Sequence, residues 1–536
     1  MTSDAVRDMT GADADSSART DRTDTDPSDR TVTGLVSGRR HLSHDDLAVN
    51  AARAATVFDA AGVGVGDAVT LMLRNDFAFF EASLAAGILG AYAVPVNWHY
   101  RDDEVTHVVA DSGAKVLVVH ADLLPQCAGA VPEGVKVLVV STPPEVAEAY
   151  GLTDAHTAVP AGFEPWEDAV AAAEPWTQTR RSAPAAMIYT SGTTGRPKGV
   201  KRSAAATGIP NRAFNDLVGL RPGVRTVVTG PMYHTAPNTF GLAAALRKGL
   251  VVLQPRFDPA EFLELAERYA LDMVHMVPTM FVRLLRLPPD VRAGHDLSSL
   301  HHVVHAAAPC PPDVKRAMID WLGPIVTEYY GGTESGAVVA CDSAEWLAHP
   351  GTVGKALPTC EVRIYDDDGR ELGPGQVGEV FMRNHAMADF TYHGRDADRA
   401  AIERDGLISC GDIGELDTDG FLYLRDRKRD MIISGGVNIY PIEIEACLHG
   451  HPAVHDCAVF GIPDPEYGEA IAAAIQLDPD VEAPTADELR AFVRARLAGY
   501  KVPKVVDFHE SLPREDSGKI FKRRLRDAYW TGGRSI

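Results

Sequence analysis

Twelve residues in the first half of the chain, Tyr189-Thr190-Ser191-Gly192-Thr193-Thr194-Gly195-Arg196-Pro197-Lys198-Gly199-Val200, constrain the fold more than any other stretch. The apolar run Ala186-Met187-Ile188-Tyr189 reads as a strand that enters a loop of hydroxyls, glycines and two cations. In such a loop Gly192, Gly195 and Gly199 let backbone N–H groups approach an anion, the hydroxyls of Thr190, Ser191, Thr193 and Thr194 donate to phosphate oxygens, and Lys198 adds charge. The spacing is not that of a Walker A loop: Pro197 stands where the second glycine belongs, and Gly199 follows Lys198 in place of Ser or Thr. The stretch reads as a triphosphate-holding loop; an exposed Gly/Thr turn ahead of a helix cap is the plainer alternative.

Around this loop strands and helices alternate. Ser43 and Asp46 stand at capping-box-like spacing before Leu47, Ala51, Ala54 and Phe58, which recur at helical intervals, and Gly62, Gly64 and Gly66 close that helix. Ala68 to Leu73 and Ala114 to Val119 read as buried strands, and the pattern continues through Val303-Val304-His305 and Glu361 to Tyr365. This predicts an α/β fold with a large N-terminal domain built on largely parallel sheets. The turn Gly373-Pro374-Gly375 marks a β-rich portion. From Arg425 to Asp430 charge density rises between two apolar runs, which predicts a linker at 425–430. Beyond it, Pro441 at a first helical turn, a strand from Val454 to Phe460, and a Thr485/Glu488 capping box predict a small α+β domain over 431–536. The large domain then covers 34–424. Residues 1–33 carry hardly an apolar side chain and read as a disordered acidic tail.

With 536 residues the chain is too long for one compact core. Its net charge of -22 disfavours nonspecific binding to nucleic acid or anionic membranes, so a polyanionic ligand must be met by local basic groups. The 7 cysteines are scattered without a close CxxC pair, which fits a reduced, cytoplasmic setting better than a disulfide framework or a zinc site. No signal peptide or apolar run long enough to span a bilayer is read from the sequence.

Four further segments add chemistry. Glu328-Tyr329-Tyr330-Gly331-Gly332-Thr333-Glu334 sets an aromatic, a hydroxyl and a carboxylate side by side: a flat face for a purine, a donor for phosphate and hard oxygen for magnesium. Ser409-Cys410-Gly411-Asp412 exposes a carboxylate between glycines, suited to accept from both hydroxyls of a ribose, and Arg427 follows near the linker. Leu512-Pro513-Arg514-Glu515-Asp516-Ser517-Gly518-Lys519 places a lysine on a glycine-containing loop, ahead of a basic run from Lys522 to Arg526. Each of these alone is also what an ordinary turn or solvated basic tail looks like.

In this order the segments resemble the adenylate-forming superfamily of AMP-forming acyl-CoA synthetases, luciferases and nonribosomal adenylation domains, over nearly everything after residue 34. The resemblance implies a small mobile lid that rotates between two poses on a hinge, here Arg429-Asp430. It implies ATP, magnesium and coenzyme A as cofactors. Thr190 to Lys198 then holds pyrophosphate, Tyr330 the adenine, Thr333 the α-phosphate, Glu334 the metal, and Asp412 with Arg427 the ribose. Lys519 is the adenylation lysine, Gly436 borders the thiol path, and His234 within Pro231-Met232-Tyr233-His234-Thr235-Ala236 resembles the pocket histidine or aromatic. An acyl pocket is implied near Ala236, Phe240, His305, Ala306, Ala307 and Pro309, with room for a bulky aromatic, alicyclic or medium-to-long acid. His305-Ala306-Ala307 replaces the usual Ser-Gly-Ala, a departure that bears on this pocket. The implied activity is an ATP-dependent carboxylic acid:CoA ligase working through an acyl adenylate. The lysines of Tyr500-Lys501-Val502-Pro503-Lys504 and the terminal basic run are candidates for the phosphates of coenzyme A. An amide synthetase, a carrier-protein loader, a luciferase-like oxygenase and a non-catalytic adenylate binder remain alternatives.

Overall fold

The computed structural model describes residues 32–530 apart from 128, 130, 191–195, 203–210, 429, 436, 480 and 515–519. Strands Tyr92–Pro95, Ala68–Met72, Ala114–His120 and Lys136–Val140 pair in parallel, in that order across one sheet. Their apolar runs are continuous because both faces are covered: Val69 and Leu71 enter one core, Ala68 and Met72 another. One covering helix is His44–Ala60, in which Leu47, Ala51, Ala54 and Phe58 are buried on one stripe. Ser43 Oγ accepts from Asp46 N at 3.1 Å to cap it, and Gly62 at φ 81° ends it, as the sequence predicts.

A second sheet of 14 strands carries the functional half of the molecule. Gly34–Ser37, Leu250–Leu253, Arg225–Val228, Met273–Met276, His302–His305 and Val326–Gly332 run parallel. The sheet then turns antiparallel through Gly336–Cys341, Gly354–Ala356, Phe421–Arg427, Leu407–Leu416, Gly378–Asn384 and Cys360–Tyr365. The switch is the tight hairpin after Tyr330. Glycine is required there, since a Cβ on Gly331 would stand 1.8 Å from the Gly336 carbonyl oxygen. The hairpin holds Thr333 and Glu334 at the end of the last parallel strand, where open α/β sheets bind ligands. A small sheet of Ile188–Thr190, Lys198–Arg202 and Phe390–Tyr392 flanks it.

The C-terminal portion is α+β. Val454–Asp464 and Gly468–Leu477 form a long antiparallel pair, Val505–His509 joins in parallel, and helices Pro441–His449 and Ala486–Arg494 pack around Ile444, Leu448, Leu489 and Val493. Thr485 and Glu488 make the predicted capping box.

At the start of the described residues the Val32 carbonyl accepts from Arg225 Nη1 at 2.9 Å. Residues 425–427 belong to the strand Phe421–Arg427 and not to a linker. Their charges are cross-strand partners: Arg425 pairs with Glu415, and Arg427 stands opposite Asp412. Among the described residues no helix is long and apolar enough to cross a membrane.

Candidate active site

The end of the parallel strands, the small sheet and the C-terminal portion enclose one cleft of about 3060 Å³. Thr190, Lys198, Tyr330, Thr333, Glu334, Asp412 and Arg427 all border it, from four separate stretches of chain. Thr190 closes its strand with Oγ1 donating to Glu334 Oε1 at 3.2 Å, and Tyr392 OH donates to the same oxygen at 3.0 Å. Among the described residues both hydroxyls address Oε1, which leaves Oε2 to a further donor or a cation, a donor set suited to magnesium. Thr333 Oγ1 lies 2.7 Å from Thr235 Oγ1, which ties the hairpin to the start of the helix Thr235–Leu246.

Asp412 and Arg427 face each other across adjacent strands, with Nε 3.3 Å from Oδ1. Tyr330 OH donates to the other carboxylate oxygen at 2.7 Å. Burial, and next the charge of Asp412, push the Tyr330 phenol well above its ordinary value, so it stays a donor. Burial opposes the charge on Arg427, but Asp412 and Asp430 outweigh it and raise the guanidinium above its usual value. Aromatic ring, carboxylate and cation are thus linked along one wall of the cleft.

Two contributors had no signal in the sequence. Arg202 is buried and donates to the Ala388 carbonyl at 2.6 Å, to the Thr333 carbonyl at 3.0 Å and to the Glu334 carbonyl, which fixes the backbone of the hairpin. Burial lowers it to about 10, still cationic at neutral pH. Tyr392 reaches Glu334 because its strand pairs with Val200, a contact across some 190 positions that no local pattern announces. Lys198, expected to add charge to the phosphate loop, borders the cleft with an ion-pair partner. It opens the strand Lys198–Arg202, is 8% exposed, and pairs with Asp398 at 2.8 Å. Gly199 beside it is held by contact, since a Cβ there would stand 2.9 Å from the Tyr189 ring.

His234 caps the helix Thr235–Leu246 and borders the cleft with Ala236, Phe240, Ala306, Ala307 and Pro309. His305 does not. It is 0% exposed, its ring packs edge-on to Phe281 at 5.1 Å, and neither ring nitrogen makes a hydrogen bond among the described residues. It sits near the end of a fully paired parallel strand and points to the core side of the sheet, so the pocket assignment is corrected for this residue. Beneath it Lys315, also 0% exposed, pairs with Glu328 at 2.6 Å.

Ser191 to Gly195, Arg429, Gly436 and Lys519 lie outside the described residues. On either side of 515–519, Arg514 and Ile520 form a β-bridge and border the cleft. Asp430 borders it too, with its N–H donating to the Arg427 carbonyl at 2.9 Å. The lysines considered for coenzyme A are engaged within the C-terminal portion: Lys501 with Glu443, Lys504 with Asp464 at 2.6 Å, and Lys522 with Glu445 at 2.7 Å.

Comparison with known proteins fits this geometry. The sequence matches the family described as AMP-binding enzyme over residues 20–390 and the AMP-binding enzyme C-terminal domain over residues 443–519. It is 34% identical over 506 residues to a feruloyl-CoA synthase of an Amycolatopsis species, covering 92% of this chain and 95% of that one. It is 31% identical over 490 residues to the long-chain-fatty-acid–CoA ligase FadD13 of Mycobacterium tuberculosis, covering 91% of this chain and 93% of the relative. Among solved structures, the amide bond synthetase McbA from Marinactinospora thermotolerans superposes with a TM-score of 0.76 at 26% identity, over 93% of this chain and 97% of that one.

Proposed function

The chain belongs to the AMP-binding enzyme family, and from that premise we propose a role for each residue of the cleft in an ATP-dependent carboxylic acid:CoA ligase. A carboxylate resists thiol attack because it is anionic and would have to expel oxide. The enzyme therefore lets the carboxylate oxygen attack the α-phosphorus of ATP, expels pyrophosphate and forms an acyl adenylate. The thiolate of coenzyme A then attacks the acyl carbon and AMP departs. No covalent enzyme intermediate is needed, so the residues act by placement and charge.

Tyr330 supplies a flat face for adenine while its hydroxyl holds Asp412 in place. Asp412 accepts from the ribose, and Arg427, with Nε 3.3 Å from Oδ1, orients that carboxylate. Thr190, Lys198 and the loop between them receive the departing pyrophosphate. Glu334, steadied by Thr190 and Tyr392, would hold magnesium, which when bound neutralises the phosphate charge. Lys519, flanked by cleft-bordering residues, bridges carboxylate and α-phosphate during adenylation. The portion from residue 431 acts as the lid and Arg429-Asp430 as its pivot; Gly436 leaves space for the thiol, and His234 closes the acyl end. The setting is cytoplasmic, in keeping with 7 cysteines that are all free thiols.

The observation that carries this reading is the convergence of Tyr330, Glu334, Asp412 and Arg427 on one cleft with Thr190. Incubating the protein with ATP and a panel of carboxylic acids, with and without coenzyme A, and reading products by mass spectrometry tests it. Acyl adenylate without coenzyme A and thioester with it are expected. No acid-dependent pyrophosphate release would end the reading. The similarity to McbA favours one competing outcome, an amide formed with a free amine and no thioester with coenzyme A.

A further inference from the structure

Lys198 opens the strand Lys198–Arg202 directly opposite Thr190, and both border the cleft. Its ammonium lies 2.8 Å from Asp398 Oδ2 and 5.2 Å from the centroid of the Tyr392 ring, whose hydroxyl donates to Glu334 Oε1 at 3.0 Å. The Lys198 side chain is 10% exposed and that of Asp398 37%. Little of the lysine faces open space, so an anionic oxygen that reaches the ammonium meets the carboxylate already beside it. The half-exposed carboxylate can turn out to solvent more readily than the buried lysine can.

Asp398 stands in the first turn of the helix Asp396–Ala401, which follows the strand Phe390–Tyr392. Arg399 in that helix is 7% exposed and donates through Nε to the Phe390 carbonyl and through Nη2 to Asp389 Oδ1, both at 3.2 Å. Thr391 Oγ1 donates to Asp396 Oδ1 at 2.5 Å. The helix is therefore fastened to the strand that carries Tyr392, and the backbone of Asp398 is placed by contacts other than its ion pair. The Lys198 ammonium, and next the charge of Arg395, hold the Asp398 carboxyl below its usual value, so it is an anion at neutral pH. A carboxylate and a phosphate oxygen are rival acceptors for one ammonium, and two anions gathered on it repel each other.

Resting on the reading that Lys198 receives the pyrophosphate end of ATP, we propose that Asp398 is a built-in competitor for that lysine, which weakens the hold on pyrophosphate and eases its release after adenylation. The carboxylate neutralises Lys198 until a triphosphate reaches it. The lysine then exchanges one anionic oxygen for another and Asp398 turns to solvent; when pyrophosphate leaves, the carboxylate returns. The exchange forms and breaks no covalent bond. A half-exposed ion pair is weak, so this competition changes affinity by a few fold and not by orders of magnitude. Were Asp398 only holding Lys198 in position for the phosphate, its removal would have the opposite sign.

The test is calorimetric titration of the full chain, without acid or coenzyme A, with magnesium–ATP and with AMP, which lacks the pyrophosphate end. In Asp398→Ala the dissociation constant for ATP is expected to fall about threefold to fivefold while that for AMP stays within about 1.5-fold. In a Lys198→Met background the same substitution should leave the ATP constant within about 1.5-fold. Asp398→Glu, which keeps the charge, should bind ATP within about twofold of the unaltered protein. An ATP constant that is unchanged or rises in Asp398→Ala overturns the proposal. So does an equal gain for AMP, or a gain that survives without Lys198. Should the alanine variant fail to fold, Asp398→Asn removes the same charge and decides by the same criteria. Binding of neither nucleotide to the unaltered protein would instead strike at the ligase reading, and this proposal with it.

Discussion

Replacing Lys315 with methionine isolates one buried charge pair that holds the strand under the nucleotide site. Its ammonium is 0% exposed, 2.6 Å from Glu328 Oε2 and 5.0 Å over the Trp346 ring, and methionine fills the same space without charge. Glu328 would be left with His305, 3.7 Å away, which burial and next Lys315 hold well below its ordinary value and so neutral. Breaking one side of a buried pair costs about 3–5 kcal/mol, while replacing both charges with neutral groups is near neutral. Lys315→Met should therefore lose about 3–5 kcal/mol, and the Lys315→Met/Glu328→Gln double variant should regain most of it. The deficit carries a sign in pH. Burial raises Glu328 even against the pull of Lys315, and removing Lys315 raises it further. A carboxyl raised on folding contributes stability below its unfolded value and loses it as pH rises through the folded one. The single variant should therefore be nearest to the unaltered protein around pH 5 and furthest from it around pH 8. Urea unfolding read by tryptophan fluorescence measures this, with Trp346 as a reporter beside the site. A double variant less stable than either single one, or a deficit flat in pH, would refute the reasoning.

Three further outcomes are expected. Glu334→Gln should reduce acid-dependent pyrophosphate release by about 10²–10³-fold while the fold, followed by circular dichroism, is kept; retention within tenfold across magnesium concentrations would remove the metal assignment. Lys519→Ala should nearly abolish acyl-adenylate formation yet largely spare thioester formation from supplied acyl adenylate, and equal loss of both steps would contradict its role. Burial raises Asp426 to about 6, against the pull of Lys522, so its contribution to stability declines by about 3 kcal/mol as pH rises from about 4 past 6. Asp426→Asn, which can still accept from Ile442 N, should match the unaltered protein near pH 4 and be the more stable of the two at pH 8 in urea titrations.

Local patterns carried much of the fold. The caps at Ser43 and Thr485, the apolar runs at Ala68 and Ala114, and Pro441 at a helix start act within a few residues, so they are written where they operate. The segments at Thr190, Tyr330 and Asp412 stood out for a similar reason, since hydroxyls, glycines, an aromatic ring and a carboxylate gather there at close spacing, and the structure brings all three segments to one cleft. The charged run at Arg425 misled, because cross-strand pairing with Glu415 and Asp412 gives a strand the composition of a linker.

What sequence alone determined is therefore the alternation of strands and helices and the order of the contact segments, since short-range hydrogen bonding and periodicity dictate the first and local side-chain chemistry marks the second. Only the tertiary structure decided which side chains share a cleft. It turned His305 into the core while leaving Ala306 and Ala307 at the surface of the pocket, engaged Lys198 with Asp398, and brought Arg202 and Tyr392 to the Glu334 hairpin. It also assembled Phe214, Phe240, His275 and Tyr329 from four elements. Such contacts depend on how sheets stack and helices cross, and the energies that select them are sums over many distant atoms with no trace in any one stretch of chain.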